Sequence, residues 1–137
     1  MSRVWRGGIY LKDEGGYELV FRALSHYKKR LRAIERAPEL NDAPMFAQII
    51  KQEAVKTATI IDQVIDKIKK GLQNAEALNE LQDSIPLFEK ALNCYQSDIQ
   101  KAKNADKFYS EFISDMKIAE SDVTNIKITL AKLSTFV

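Results

Sequence analysis

The feature that most constrains the fold is a spacing of apolar residues by alternating steps of three and four, which continues through four long segments. Such spacing places the apolar side chains on one stripe of an α-helix. Helix-breaking residues are scarce after the first sixteen positions, since the chain has three prolines and four of its five glycines lie before that point. The pattern predicts helices over about 13–36, 43–71, 75–103 and 105–135, the third restarting at Pro86.

Four helices of similar length joined by short connectors are typical of an all-α fold with antiparallel neighbours. We therefore expect a four-helix bundle with up-down-up-down topology and shallow helix crossings. A chain of 137 residues is expected to form a single domain over 1–137. A domain of that size buries a sufficient core without disulfides or metal ions.

The N-terminal segment, residues 1–12, is too apolar for a free tail. We expect it to be irregular or weakly extended and to pack on the bundle or on a partner. In a second interpretation, residues 9–12 and 17–21 are two short strands of a β-hairpin around the turn 13–16. The first helix would then begin near Arg22 instead of near Asp13.

Cysteine usage and hydropathy limit the classes of protein to consider. Cys94 is the one cysteine in the sequence, so neither an internal disulfide nor a zinc site built from several thiolates is possible. We find no secretory signal pattern and no apolar run long enough for a membrane span. The expectation is a cytoplasmic protein without a membrane partner.

Residues for catalysis or cofactor binding are sparse. Carboxylate-bridged di-iron bundles need two Glu-x-x-His pairs, but His26 is the one histidine and Ala23 stands three residues before it. His26 lies off the apolar stripe and is expected at the surface, and Cys94 has no base near it in the sequence. The glycine pairs at 7–8 and 15–16 match no phosphate-binding fingerprint. We expect no catalytic residues, no metal site and no cofactor, and hence no enzyme.

Positive charge is concentrated at the start of the chain. Residues 1–36 hold nine Lys or Arg and four Asp or Glu, whereas the whole chain has a net charge of +2. Five basic residues cluster on one side of the first helix: Arg22, Lys28, Lys29, Arg32 and Arg36. This basic stripe could contact nucleic-acid phosphates or an acidic protein surface. The alternative, a solvated helix face, is favoured because no base-stacking platform accompanies it.

Glu53 is the one charged residue whose helical phase places it within the apolar stripe of the second predicted helix. Counting levels along an antiparallel bundle places it near Tyr27 and Tyr95, with Thr57 one turn away. An unpaired buried carboxylate is costly, so it needs donors or must be protonated. The prediction is a polar core layer of Glu53, Thr57, Tyr27 and Tyr95, which either fixes helix register or forms a ligand pocket.

More apolar residues are present than the four stripes need for a monomer. They include Val55, Ile60 and Ile128, and contiguous apolar surface of this kind indicates an interface. We therefore expect a homodimer, with a two-fold axis as the commonest arrangement. The favoured function is a non-enzymatic helical bundle that acts through protein–protein contacts. The alternatives are a nucleic-acid-associated protein and a small-ligand-binding bundle with a pocket around Glu53.

Overall fold

The computed structural model describes residues 5–34, 44–104 and 107–135. Within these ranges the chain is helical and has no β-strand, which confirms the all-α prediction. The α-helices are α1 (Arg6–Asp13), α2 (Tyr17–Arg32), α3 (Ala47–Gly71), α4 (Ala75–Leu78), α5 (Ile85–Lys103), α6 (Lys107–Ser110) and α7 (Met116–Leu133). Two 3₁₀ segments, Pro44–Phe46 and Asn79–Ser84, precede α3 and α5. No helix in the described ranges is long and apolar enough to cross a membrane.

The described part of the N-terminal segment is helical from Arg6, so the predictions of an irregular segment and of a β-hairpin are both wrong there, while residues 1–4 lie outside the described chain. Trp5 is buried, its ring stacks on Phe88 with a centroid distance of 6.3 Å, and its Nε1 donates to the carbonyl of Leu133 at 2.6 Å. A Cβ atom on Gly7 would lie 2.4 Å from the indole ring, so the packing requires glycine there. Tertiary contacts therefore override the low helix propensity of the glycine pair.

A tight turn separates α1 from α2, which begins at Tyr17 and not near Asp13. Gly15 has a φ of 76°, a left-handed conformation that favours glycine. The amide of Gly16 donates to the carbonyl of Tyr10 at 3.0 Å and closes the turn. The two helices are thereby held as separate elements.

The last predicted helix is interrupted, because α6 ends at Ser110 and α7 begins at Met116. The side chain of Asp115 caps α7 by accepting hydrogen bonds from the amides of Lys117 and Ile118 at 3.0 and 3.2 Å. The heptad spacing of apolar residues continues through this region of the sequence, so the sequence analysis did not predict that a helix begins after Asp115. The expected restart at Pro86 is present, since Pro86 lies in the first turn of α5.

The helices pack around α2 and α5, which lie directly against each other. Helix α3 lies against α2, α7 lies against α5, and α1 crosses onto α7. The core between them is apolar and includes Leu24, Ile61, Leu92, Ile99 and Ile126, all fully buried. At 16 residues α2 is shorter than α3, which has 25. The N-terminal part of α3 therefore extends past the core, and its first buried residue in the described chain is Ala54.

Candidate functional site

A buried carboxylate, Asp98 on α5, organises a polar cluster between α2 and α5. Its Oδ2 accepts from Nε2 of His26 at 2.7 Å and from Nε of Arg30 at 2.6 Å. The thiol of Cys94 points at the same oxygen from 3.6 Å. Burial alone would raise the pKa of the Asp98 carboxyl, but the His26 hydrogen bond and the Arg30 charge outweigh it, so its pKa lies below the ordinary value.

Aromatic rings complete the surroundings of the Arg30 guanidinium. Its Cζ lies 5.1 Å from the ring centroid of Phe108, 5.0 Å from that of Tyr109 and 5.9 Å from that of Phe112. These distances are within the range of cation–π attraction. The break between α6 and α7 is what brings Phe112 over this cluster, where it also meets the ring of His26 edge-on at 6.1 Å.

A second buried carboxylate, Asp122 on α7, binds partners from α2 and α5. It makes a bidentate pair with Arg22, whose Nε and Nη2 donate at 2.8 and 2.7 Å. The hydroxyl of Tyr95 donates to Asp122 at 2.7 Å. Burial raises the pKa of Tyr95, and the neighbouring carboxylate raises it further. The two clusters tie α2, α5 and α7 together through charged hydrogen bonds.

The arrangement of Cys94, His26 and Asp98 does not resemble an activated nucleophile. In a nucleophile–base–acid triad the imidazole stands between the nucleophile and the carboxylate, whereas here Asp98 stands between the thiol and the imidazole. Burial, followed by the charge of Asp98, raises the pKa of Cys94 to about 12. The thiol therefore stays protonated near neutral pH, a state that disfavours attack.

The same three side chains have donor atoms within 4.8 Å of one another, close enough to hold a metal ion. However, Arg30 already places a permanent positive charge against Asp98. A metal would have to displace that charge and deprotonate a thiol whose pKa is raised. The chemistry of the donor set thus favours an internal ion pair over a metal centre.

The expectation of His26 at the surface is wrong. The residue is 5% exposed and lies between Asp98 and the ring of Tyr95. Helix α2 packs on α3 and α5 at once, so more than one stripe of this helix is buried. His26 therefore faces the interior although it lies off the main apolar stripe.

The predicted polar layer around Glu53 is also wrong. The Glu53 side chain is 68% exposed and forms an ion pair with Lys56 on the same helix, at 4.0 Å. Tyr95 takes part in a polar core, but with Asp122, and Tyr27 and Thr57 are half-buried at other places. The predicted apolar stripe of this helix combined residues from its buried side with residues that face outward. The average direction of that stripe therefore pointed toward Glu53.

Asp98 and Asp122 are the buried carboxylates at the centre of the two polar clusters, and the sequence interpretation missed both. Each lies three positions after one stripe residue and four before another: Asp98 between Tyr95 and Ala102, and Asp122 between Ala119 and Ile126. A charged residue at the edge of a stripe is therefore the signal that could have identified them.

The basic stripe is partly used inside the molecule. Arg22 pairs with Asp122, and Lys28 pairs with Asp62 of α3. Lys29 is exposed and Arg32 lies near the groove between α2 and α3. Arg36 lies outside the described residues. The charge available to an external partner on this face is thus smaller than the sequence indicates.

A separate surface is formed by the outward side of α3 and the 3₁₀ turn before it. Its large apolar side chains are between 49% and 88% exposed: Met45, Phe46, Ile49, Val55 and Ile60. The inward side of the same stretch carries Ala54 and Ala58, which face α2 across a groove. This part of α3 therefore carries apolar side chains on its exposed side as well as on its buried side, and on the exposed side they alternate with polar residues such as Gln48, Gln52 and Lys56. We call the exposed side the outer face of α3.

No protein-family model, curated protein or solved structure matches this chain. The candidate sites are therefore interpreted from their own geometry and chemistry.

The lowered pKa of Asp98 predicts a specific acid response. The unfolded chain takes up the Asp98 proton near the ordinary value of about 3.9, while the folded chain does so at lower pH. This contribution to stability is present above that ordinary value and is lost as the pH falls through the folded pKa. We expect the melting temperature to drop more steeply from pH 5 to pH 3 in the unaltered protein than in an Asp98→Asn variant. Parallel slopes in the two proteins would contradict the assignment.

Proposed function

We propose that this protein is a non-enzymatic helical bundle that acts through protein–protein contacts, and that the outer face of α3 is its contact surface. The observation that carries the proposal is the set of five large apolar side chains exposed over residues 45–60. Large exposed apolar side chains that lie close together along one helix favour a protein interaction site. Burying them against a second helix would remove this apolar surface from water.

A second copy of the chain is the partner proposed for this surface, since a two-fold interface brings the same surface of both subunits together. If two α3 helices met in antiparallel fashion about an axis at Gln52, Ile49 and Val55 of the two copies would lie at the same height. The two residues are about 120° apart around the helix, so they would line opposite edges of the contact, with Gln52 between them.

The proposal includes an up-down-up-down antiparallel bundle within each subunit, formed by α2, α3, α5 and α7. The Tyr95–Asp122 and Lys103–Glu120 pairs support opposite directions for α5 and α7, because the partner number falls as the α5 number rises. In that arrangement α2 and α5, which lie directly against each other, would be the inner pair of helices.

Lysine at two positions of the outer face should separate the subunits. The double variant Ile49→Lys with Val55→Lys would place four like charges at the contact between the two subunits, where they repel one another. It would also remove apolar side chains that the contact would otherwise bury. The dissociation constant should rise by at least about a hundredfold, equivalent to about 3 kcal/mol. Sedimentation velocity across a concentration series measures this directly.

The matched control is Ile128→Lys on α7. Ile128 is 54% exposed and Ile49 is 59% exposed, so the two sites lose similar apolar surface. The control should remain associated. Equal weakening by Ile128→Lys, or an unchanged association in the double variant, would contradict the outer face of α3 as the contact surface.

A further inference from the structure

A cleft of about 260 Å³ opens between α2 and the start of α7. Its walls are aromatic and apolar, with Phe21 from α2, Tyr95 from α5 and Phe112 from the segment before α7. The rim is polar and includes Arg22, Ser25 and Lys29 of α2 together with Ser114 and Asp115. Few polar groups around an apolar pocket are typical of small-molecule sites, and this volume suits a ligand smaller than a drug.

The rim carries two basic side chains, Arg22 and Lys29, and one carboxylate, Asp115. Asp122 uses Nε and Nη2 of Arg22, which leaves Nη1 for another acceptor. Lys29 is exposed at the same edge. Asp115 accepts from the first amides of α7, so its charge is partly offset by the positive end of that helix. An anion at the rim would therefore find donors in Lys29 and in Nη1 of Arg22.

The floor of the cleft contains a polar atom that forms no hydrogen bond with any described residue. His26 lines the cleft and is 5% exposed. Its Nε2 is bonded to Asp98, but its Nδ1 is buried and has no hydrogen-bond partner in the described part of the chain. A ring seated beside the imidazole would not bond this nitrogen, so the aromatic walls and the basic rim are the features that favour a ligand.

We propose that this cleft binds a small organic anion with a flat ring, of the class of aromatic carboxylates. The carboxylate would lie at the rim between Lys29 and Nη1 of Arg22. The ring would pack on the aromatic floor, next to the imidazole of His26. The inference is independent of self-association, since no residue of α3 lines the cleft.

The probe is benzoate, titrated into the ¹⁵N-labelled protein at constant ionic strength and followed by amide shifts. Saturable shifts at Ser25, Ser114 and their neighbours are expected, with a dissociation constant on the order of 1 mM for a ligand this small. Benzamide keeps the ring without the charge, and acetate keeps the charge without the ring. Both should bind at least about fivefold more weakly. The proposal would be overturned if benzoate caused no saturable shifts at the cleft, or if acetate bound there as tightly as benzoate.

Variants of the rim provide the second arm of the test. Lys29→Gln should weaken benzoate about fivefold, because a charged hydrogen bond is replaced by a neutral one. Ser25→Trp should fill the exposed mouth and abolish saturable binding while the remaining amide spectrum stays unchanged. Lys127→Gln, at an exposed position of α7 away from the lining, is the control and should leave the affinity unaltered. Equal loss in Lys29→Gln and Lys127→Gln would show that only bulk charge matters and would overturn the site.

Discussion

Replacing Asp98 with asparagine is expected to lower the free energy of unfolding by about 3 kcal/mol. The substitution removes the carboxylate that accepts from His26 and Arg30, and the Arg30 side chain is only 11% exposed. A guanidinium cannot lose its charge at accessible pH, so it would face a neutral amide in a poorly hydrated place. Urea unfolding at one fixed protein concentration measures the change, with the slope checked for constancy.

The control for this prediction is Asp62→Asn. Asp62 also pairs with a basic residue of α2, Lys28, but its side chain is 54% exposed. Surface pairs of this type contribute less than about 1 kcal/mol. Similar losses from Asp62→Asn and Asp98→Asn would mean that Asp98 does not organise the core.

Replacing Trp5 with alanine is expected to destabilise the protein by about 4 kcal/mol. The change removes the stacking on Phe88 and the hydrogen bond to Leu133, and it empties a fully buried site. Helix α1 would lose one of its attachments to α7, because the indole of Trp5 bonds to Leu133, the last residue of that helix. Circular dichroism at 222 nm during urea unfolding measures the effect without relying on the indole fluorescence.

Trp5→Phe separates the two contributions of the indole. Phenylalanine keeps most of the apolar volume but cannot donate to the carbonyl of Leu133, so the expected loss is about 1–2 kcal/mol. If Trp5→Ala were no more destabilising than Trp5→Phe, the ring would not fill a core site, and the docking of α1 described above would be contradicted.

The apolar periodicity was sufficient to predict the fold class and the approximate course of the long helices. It could not predict α1, because the helix depends on the indole ring lying over Gly7 and on a bond to a carbonyl 128 residues away. The interruption between Ser110 and Met116 was missed for a related reason. Phe112 continues the heptad spacing, yet its ring is used against Arg30 and His26 and not in a continuous helix.

The candidate polar site was predicted in kind but not in position. A carboxylate bonded to Tyr95 exists in the core, and it is Asp122 and not Glu53. Apolar side chains that face outward, such as Phe46 and Ile49, were combined with the inward stripe of α3. A single averaged stripe cannot describe a helix with apolar side chains on its buried and its exposed side, and the exposed side is the feature on which the proposed function depends.

The measurement that tests the proposed function most directly is the molar mass of the unaltered chain in solution, by light scattering coupled to size exclusion at tens of micromolar. Self-association through the outer face of α3 predicts twice the chain mass of 15.6 kDa, decreasing toward that mass on dilution. A mass of 15.6 kDa that does not change with concentration would contradict the proposed self-association.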